Sequence, residues 1–160
     1  MKTHKFSTVL IALDYDPTAQ IIAEIGFAIA VSMNAKVVLL HVISEPIYYS
    51  SREYSPIMGF DGFIDSGSFQ TNEENALQNA ALDFLEKSKQ HLGGENIQIK
   101  VAKGDFADSI LKTAVDLKAD MIVMGSHSQK WLEKIVMGSV TEEVLNHTTI
   151  PLFIIPTKKG

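Results

Sequence analysis

The chain contains no cysteine, which excludes disulfides, thiolate nucleophiles and cysteine-ligated metal sites and points to a reducing compartment, the cytoplasm. It also lacks a basic excess. Fourteen Lys and Arg against nineteen Asp and Glu leave a net charge of −5, whereas nonspecific nucleic-acid binding needs a basic footprint. No apolar run approaches the roughly 20 residues that span a bilayer, so no membrane insertion is expected. The start, MKTHKFSTVLIALDYDP, has a short apolar run without a small-residue cleavage site and reads as a strand. Several chemical signatures are missing as well. There is no GxxxxGKS/T phosphate loop, and the first strand runs into Asp14-Tyr15-Asp16-Pro17 rather than a GxGxxG turn. No HExxH or paired metal-ligand spacing occurs, and the five histidines are scattered.

What is present is an alternation of short β-branched runs and segments of helical period. Hydrophobic residues make up 46% and charged residues 21% of 160 residues, enough for one domain over 1–160 with a substantial core. Five runs read as strands: Thr8–Leu13, Lys36–Val42, Ile97–Val101, Met121–Met124 and Leu152–Ile155. The middle ones lack polar alternation, as strands covered on both faces do. Between them, Asp16-Pro17 starts a helix with the stripe Ile21, Ile25 and Ile29. Leu77, Ala81, Phe84, Leu85 and Ser88 mark a second helix that stops at Gly93-Gly94. Asp105 and Asp108 can cap a third, with Ile110, Leu111, Ala114 and Val115 on its apolar face. The fourth runs from Ser139 to about His147. Strands and helices in alternation imply an open, doubly wound α/β fold with helices on both faces. Residues 44–70 break the rhythm as a long variable loop. Its aromatics (Tyr48, Tyr49, Tyr54, Phe60, Phe63 and Phe69) either pack over the sheet or form a ligand lid.

The most informative stretch is Met124 to Val140. A buried-looking strand enters Gly125, and Ser139-Val140-Thr141-Glu142 then carries a capping-box pattern with Ser139 as N-cap and Glu142 three residues on. Small residues after a strand, together with a free helix N-terminus, are the parts of a phosphate cradle; the plainer reading makes Gly125 a strand exit and Gly138 a turn. In open α/β sheets ligands bind outside the carboxyl ends of the strands. The candidates there are Ala12, Leu13 and Asp14, then His41 and Val42, then Gly104 and Asp105, and Gly125 to Ser128. Asp14 can accept ribose hydroxyls or hold a divalent cation through water, or it can serve as a turn residue.

These residues together resemble the universal stress protein family (UspA-like domains). The resemblance rests on VLIALDYDP at the start, VVLLHV in the second strand, VAKGDFADSILKTAVDLKADMIVMGSHS, and the ending GSVTEEVLNHTTIPLFIIP, nearly the whole chain. It implies a five-stranded parallel sheet in the order 3-2-1-4-5, the adenine nucleotide alpha hydrolase-like architecture. It also implies a homodimer through the last strand, Ile150 to Ile155, whose Pro151 and Pro156 suit a short edge that pairs only with its twin. The ATP-binding branch of the family carries G-x2-G-x9-G-S/T after the fourth strand. Gly125, Gly138 and Ser139 match this pattern, and Ser128 replaces its second glycine. If that position needs positive φ, serine costs roughly 1 kcal/mol. If it needs only smallness, serine fits and its hydroxyl can donate a hydrogen bond.

Carried over residue by residue, the resemblance places Ala12 beside the nucleotide and Asp14 on the ribose or the metal–phosphate region. Val42 meets adenine through its backbone, and Met124 lines the base or ribose pocket. Gly125, Ser128, Gly138, Ser139 and Val140 enclose the phosphates, Ser139 with both hydroxyl and amide; His127 has no assigned role. The implied ligand is ATP with Mg2+, with AMP or cyclic AMP as the other adenine nucleotides. The implied function is a stress-response switch read by a protein partner. No general base or lysine clamp is evident, so slow ATP hydrolysis is the most that is expected. The alternative is a nucleotide-independent dimeric interaction module. The two part at one residue: Gly138→Val is expected to abolish ATP binding in calorimetry while leaving the dimer folded, and unchanged affinity rejects the nucleotide reading.

Overall fold

Runs that are apolar at every position are stable only where a sheet is covered on both faces. The structure, a computed structural model, describes residues 1–44, 66–126 and 138–157, with side chains from residue 72 onward in the second helix. Its elements alternate: β1 (Thr8–Ala12), α1 (Ala19–Ser32), β2 (Lys36–Ile43), α2 (Ser66–Leu92), β3 (Ile97–Lys103), α3 (Phe106–Asp116), β4 (Met121–Gly125), α4 (Ser139–His147) and β5 (Leu152–Ile155). All strands pair in parallel, in the order β3-β2-β1-β4-β5. The expected doubly wound sheet and its order are therefore both present. β1 lies at the centre, with Val9 beside Val37 of β2 on one side and Met121 of β4 on the other.

Alternation along the strands divides the core into two layers. Val9, Ile11, Val37, Leu39, Val123 and Ile155 face α1 and α2, where Ile22, Ala23, Ala30 and Leu85 cover them. Leu10, Val38, Leu40, Val42, Ile122 and Met124 face the other layer, against Ala107, Ile110, Ala114 and Val144. Leu10, Ile11, Leu39, Leu40 and Ile122 are fully buried. Each stabilises the fold by about 1.5–3 kcal/mol relative to exposure, which outweighs any capping or surface charge effect considered below.

Helix termini follow local chemistry. Asp105 caps α3, accepting from the Asp108 amide at 3.0 Å, and Asp108 lies in the first turn. The α1 and α3 ends are closed by left-handed residues, Asn34 (φ 55) and Lys118 (φ 52). Behind them the Ala35 and Ala119 amides reach back to Ala30 and Ala114 oxygens. Gly93, at φ 68, ends α2 as expected. Asp16 Oδ1 accepts from the Thr18 amide and hydroxyl at 2.8 and 2.7 Å, so it caps the turn ahead of α1 while Thr18 is the N-cap itself.

Three expectations need correction. Ile21, Ile25 and Ile29 do not face the core: Ile21 is 52% and Ile25 38% exposed, and Ile22, Ala23, Gly26 and Ala30 are buried instead. Small residues let the α1 backbone sit directly on β1 and β4, and side-chain bulk is then pushed to the flank. On α3, Val115 is 61% exposed and Thr113 takes the buried place. The long segment 44–70 is helical from Ser66 onward; residues 45–65 lie outside the described residues, as does the question of a lid.

Close approach is the constraint at Gly26. A Cβ there would stand 2.7 Å from Ile11 Cδ1 and 3.2 Å from Val123 Cγ1, both fully buried. Gly26→Val is therefore expected to destabilise the protein by about 1–3 kcal/mol through overpacking. The measurement is a urea midpoint at unchanged m-value; a midpoint equal to that of the unsubstituted protein rejects the packing account.

Candidate functional site

The sheet order reverses between β1 and β4: the chain leaves β1 toward β2 on one side and returns to β4 on the other. The crevice outside their carboxyl ends is where open α/β sheets accept ligands. Ala12 ends β1 and Asp14 stands two residues beyond it, while Met124 and Gly125 end β4 and Val42 lies near the end of β2. Ala12, Val42, Met124 and Val140 all belong to the apolar layer on the α3/α4 side. Val140 is only partly buried there, whereas Val42 and Met124 are buried.

The start of α4 is held at this crevice by backbone. The Gly138 amide donates to the Ser126 oxygen at 2.9 Å, which fixes the start of α4 against the residue that follows β4. Thr141, almost fully buried, donates from its hydroxyl to the Gly125 oxygen at 2.9 Å. The capping box expected at Ser139 is not formed. Gly138 is the N-cap, with no side-chain cap, and Ser139 is the exposed first helical residue. The Glu142 amide donates to the Gly138 oxygen. Glycine has no side chain with which to cap, so the Ser139 and Val140 amides have no capping acceptor among the described residues. Gly138 has φ −54 and ψ 148, a conformation open to any residue, so backbone freedom does not call for glycine there.

Gly125 is small for a different reason from the one its motif suggests. A Cβ there would stand 2.5 Å from Ile22 Cδ1 and 3.1 Å from Thr157 Cγ2, so the strand end is wedged between α1 and the tail after β5. Ser126 makes three contacts around this wedge. Its amide donates to the Ile155 oxygen, its own oxygen accepts from Gly138, and its Oγ accepts from the Thr157 amide at 3.2 Å. Ser126 fell within the candidate range Gly125 to Ser128, but nothing in the sequence distinguished it, and Thr141 and Thr157 were not singled out. Ser128 and His127 lie outside the described residues.

Beside the crevice, Asp14 Oδ1 accepts from the Asp16 amide at 3.1 Å, the arrangement of a turn residue. Burial raises the carboxyl above the ordinary aspartate value. The Asp16 amide opposes this, and His41 does so more weakly. His41 is buried, donates from Nδ1 to the Leu13 oxygen at 2.8 Å, and is flanked by Tyr15 and Phe84 at ring distances of 4.4 and 5.7 Å. Burial lowers its pKa, against the pull of the Leu13 carbonyl and Asp14. The site thus offers a half-buried acid, an uncapped helix start and an apolar floor. Gly104 and Asp105 stand apart, just past the end of β3 and two strands from β1; Asp105 is occupied as a helix cap.

The profile of the Universal stress protein family matches residues 5–156. Universal stress protein MJ0577 of Methanocaldococcus jannaschii is 30% identical over 158 residues, covering 97% of this chain and 98% of that protein. The solved structure of MJ0577 superposes with a TM-score of 0.74 at 26% identity over 98% of this chain and all of the other. A universal stress protein in complex with cAMP shares the fold at a TM-score of 0.67 and 19% identity, over 97% of this chain and all of its own. One from Archaeoglobus fulgidus in complex with dAMP does so at 0.53 and 17%, over 94% and 98%.

The two perturbed groups give the stability a pH signature. A carboxyl whose folded pKa is raised disfavours folding once ionised, so Asp14 imposes no penalty in acid and its full penalty at neutral pH. Asp14→Asn, which keeps the acceptor for the Asp16 amide, is expected to unfold at higher urea than the unsubstituted protein at pH 7. The difference should shrink as pH falls through the raised folded value and vanish below the ordinary aspartate value. A variant no more stable at pH 7 rejects the burial account of Asp14.

Proposed function

The chain belongs to the universal stress protein family, and from that premise we propose that it binds an adenine nucleotide at the β1/β4 crevice and acts as a nucleotide-dependent switch. The observation that carries this reading is the uncapped start of α4, fastened by Gly138 to Ser126 and by Thr141 to Gly125 beside Asp14. Unpaired amides at a helix N-terminus, with no side chain on the cap residue, suit an anion. The donor set fits phosphate: the Ser139 and Val140 amides and the Ser139 hydroxyl would bind it. Gly125 and Ser128 would border the loop between them. Asp14 would accept ribose hydroxyls or hold Mg2+ through water, which relieves the burial that raises its carboxyl. Ala12, Val42 and Met124 would form the floor and edge of the adenine pocket. That neighbours of the same fold are complexes with cAMP and dAMP supports an adenine ligand. ATP with Mg2+ is our first choice, ahead of AMP and cyclic AMP. Bound Mg2+ would supply charge neutralisation at the phosphates.

The working unit in this reading is a cytoplasmic, single-domain homodimer. Its subunits join through the last strand, Ile150 to Ile155, and a protein partner reads their state. Support comes from β5, which is the four-residue end strand of the sheet with Phe153 41% exposed. A dimeric module without nucleotide is the second reading, favoured by serine at 128.

Ser139→Pro separates nucleotide binding from folding. Proline suits the first helical position, and the ψ of 148 at Gly138 is the conformation a residue before proline prefers. The variant is expected to melt within a few degrees of the unsubstituted protein, as order-of-magnitude scaling of a sub-kcal/mol change predicts. It loses one amide and one hydroxyl donor. Affinity for Mg-ATP in calorimetry should fall at least about tenfold, the equivalent of one charge-assisted hydrogen bond. Equal affinity in a folded variant removes the helix start from the site.

A further inference from the structure

We propose that Ser126 is a positioning residue that couples occupancy of the nucleotide crevice to the edge strand β5, so that ligand binding and subunit association influence each other. This rests on the nucleotide-binding, edge-paired dimer proposed above.

Three hydrogen bonds converge on Ser126, and each leads to a different part of that scheme. Its oxygen accepts from the Gly138 amide, the cap of the helix whose next two amides would hold phosphate. Its amide donates to the Ile155 oxygen, extending the β4–β5 ladder one step past the Gly125–Ile155 pair. Its Oγ accepts from the Thr157 amide and seats the tail that follows β5. A displacement of the α4 start on binding phosphate therefore reaches the end of β5 through one residue. That residue need not touch the ligand.

The tail also has the character of an element with two arrangements. Thr157 is 6% exposed, and its Oγ1 is buried without a hydrogen-bond partner among the described residues. Its Cγ2 stands 3.1 Å from the place a Cβ on Gly125 would take. Leaving a buried hydroxyl unpaired is unfavourable, so the seated tail competes with one in which that hydroxyl meets water. A small bias from Ser126 is enough to shift such a balance, and coupling of this kind is reciprocal between the two binding events.

The experiment measures dimer dissociation constants by sedimentation, with and without saturating Mg-ATP, and takes their ratio. The unsubstituted protein is expected to show a ratio of about fivefold or more, the lower end of ordinary allosteric coupling. Ser126→Ala, which deletes only the acceptor for Thr157, should bring the ratio toward one. It should do so while the protein still binds ATP and still dimerises. Thr157→Val removes the orphaned hydroxyl and is expected to raise the melting temperature while reducing the ratio, a combination that loss of packing does not produce. It carries the test if Ser126→Ala fails to fold. A protein that binds ATP and dimerises with a ratio of one overturns the coupling and leaves the proposed function standing. So does a ratio that neither variant changes. Absence of ATP binding, or a chain that stays monomeric, overturns both.

Discussion

One backbone hydrogen bond, from the Gly138 amide to the Ser126 oxygen, joins the end of β4 to the start of α4. Ser126 directly follows β4 and Gly138 directly precedes α4, so this bond sets the first amides of the helix beside the strand end. The second fastening, from Thr141 to the Gly125 oxygen, comes from a residue buried among apolar neighbours. The position of the helix start is thus set by the core beneath it as well as by the loop. Anchoring of this kind is what gives a loop site its geometry.

Electrostatics at the crevice work against the fold before any ligand arrives. Asp14 is half-buried and its carboxyl is raised by that burial, while the neighbouring His41 is kept toward neutrality. Neither group can gain full solvation, and each moderates the other only partly. Groups held in an unfavourable state by surrounding structure are typical of places where a ligand completes the arrangement. The stability given up here is small beside the apolar layers of β1, β2 and β4, which is why the fold can tolerate it.

The sheet was largely legible in the sequence because β1, β2 and β4 are continuous β-branched runs, and such runs have few alternative explanations. β3 was read two residues short, ending at Val101 where the strand continues to Lys103, because an edge strand with one open face admits lysine. α2 was read late because Ser66 to Gln70 (SGSFQ) hold one apolar side chain, Phe69, and so show no apolar period. The α1 stripe was misplaced for a subtler reason: periodicity weights bulk, whereas this helix docks through Gly26 and alanines. At the site, the residue types at 125, 138 and 139 were apparent, but not who caps whom. The Ser139 pattern satisfied a capping box, yet Gly138 occupies the cap: its backbone is extended and its oxygen accepts the first helical bond, from the Glu142 amide. Ser126 itself stayed invisible, since two of its three bonds are made by backbone that any residue possesses.

The contact of Gly26 with Ile11 and Val123 has a consequence for how such a chain can diverge. The three positions share one fixed volume between a helix and two adjacent strands. A larger residue at 26 is admissible only with a smaller one at 11 or 123, since close-packed interiors leave no slack for independent growth. Related chains should therefore trade size among these sites, a glycine-and-isoleucine pairing in one lineage answering to a valine-and-alanine pairing in another. The tilt of α1 over the crevice would be inherited through that exchange.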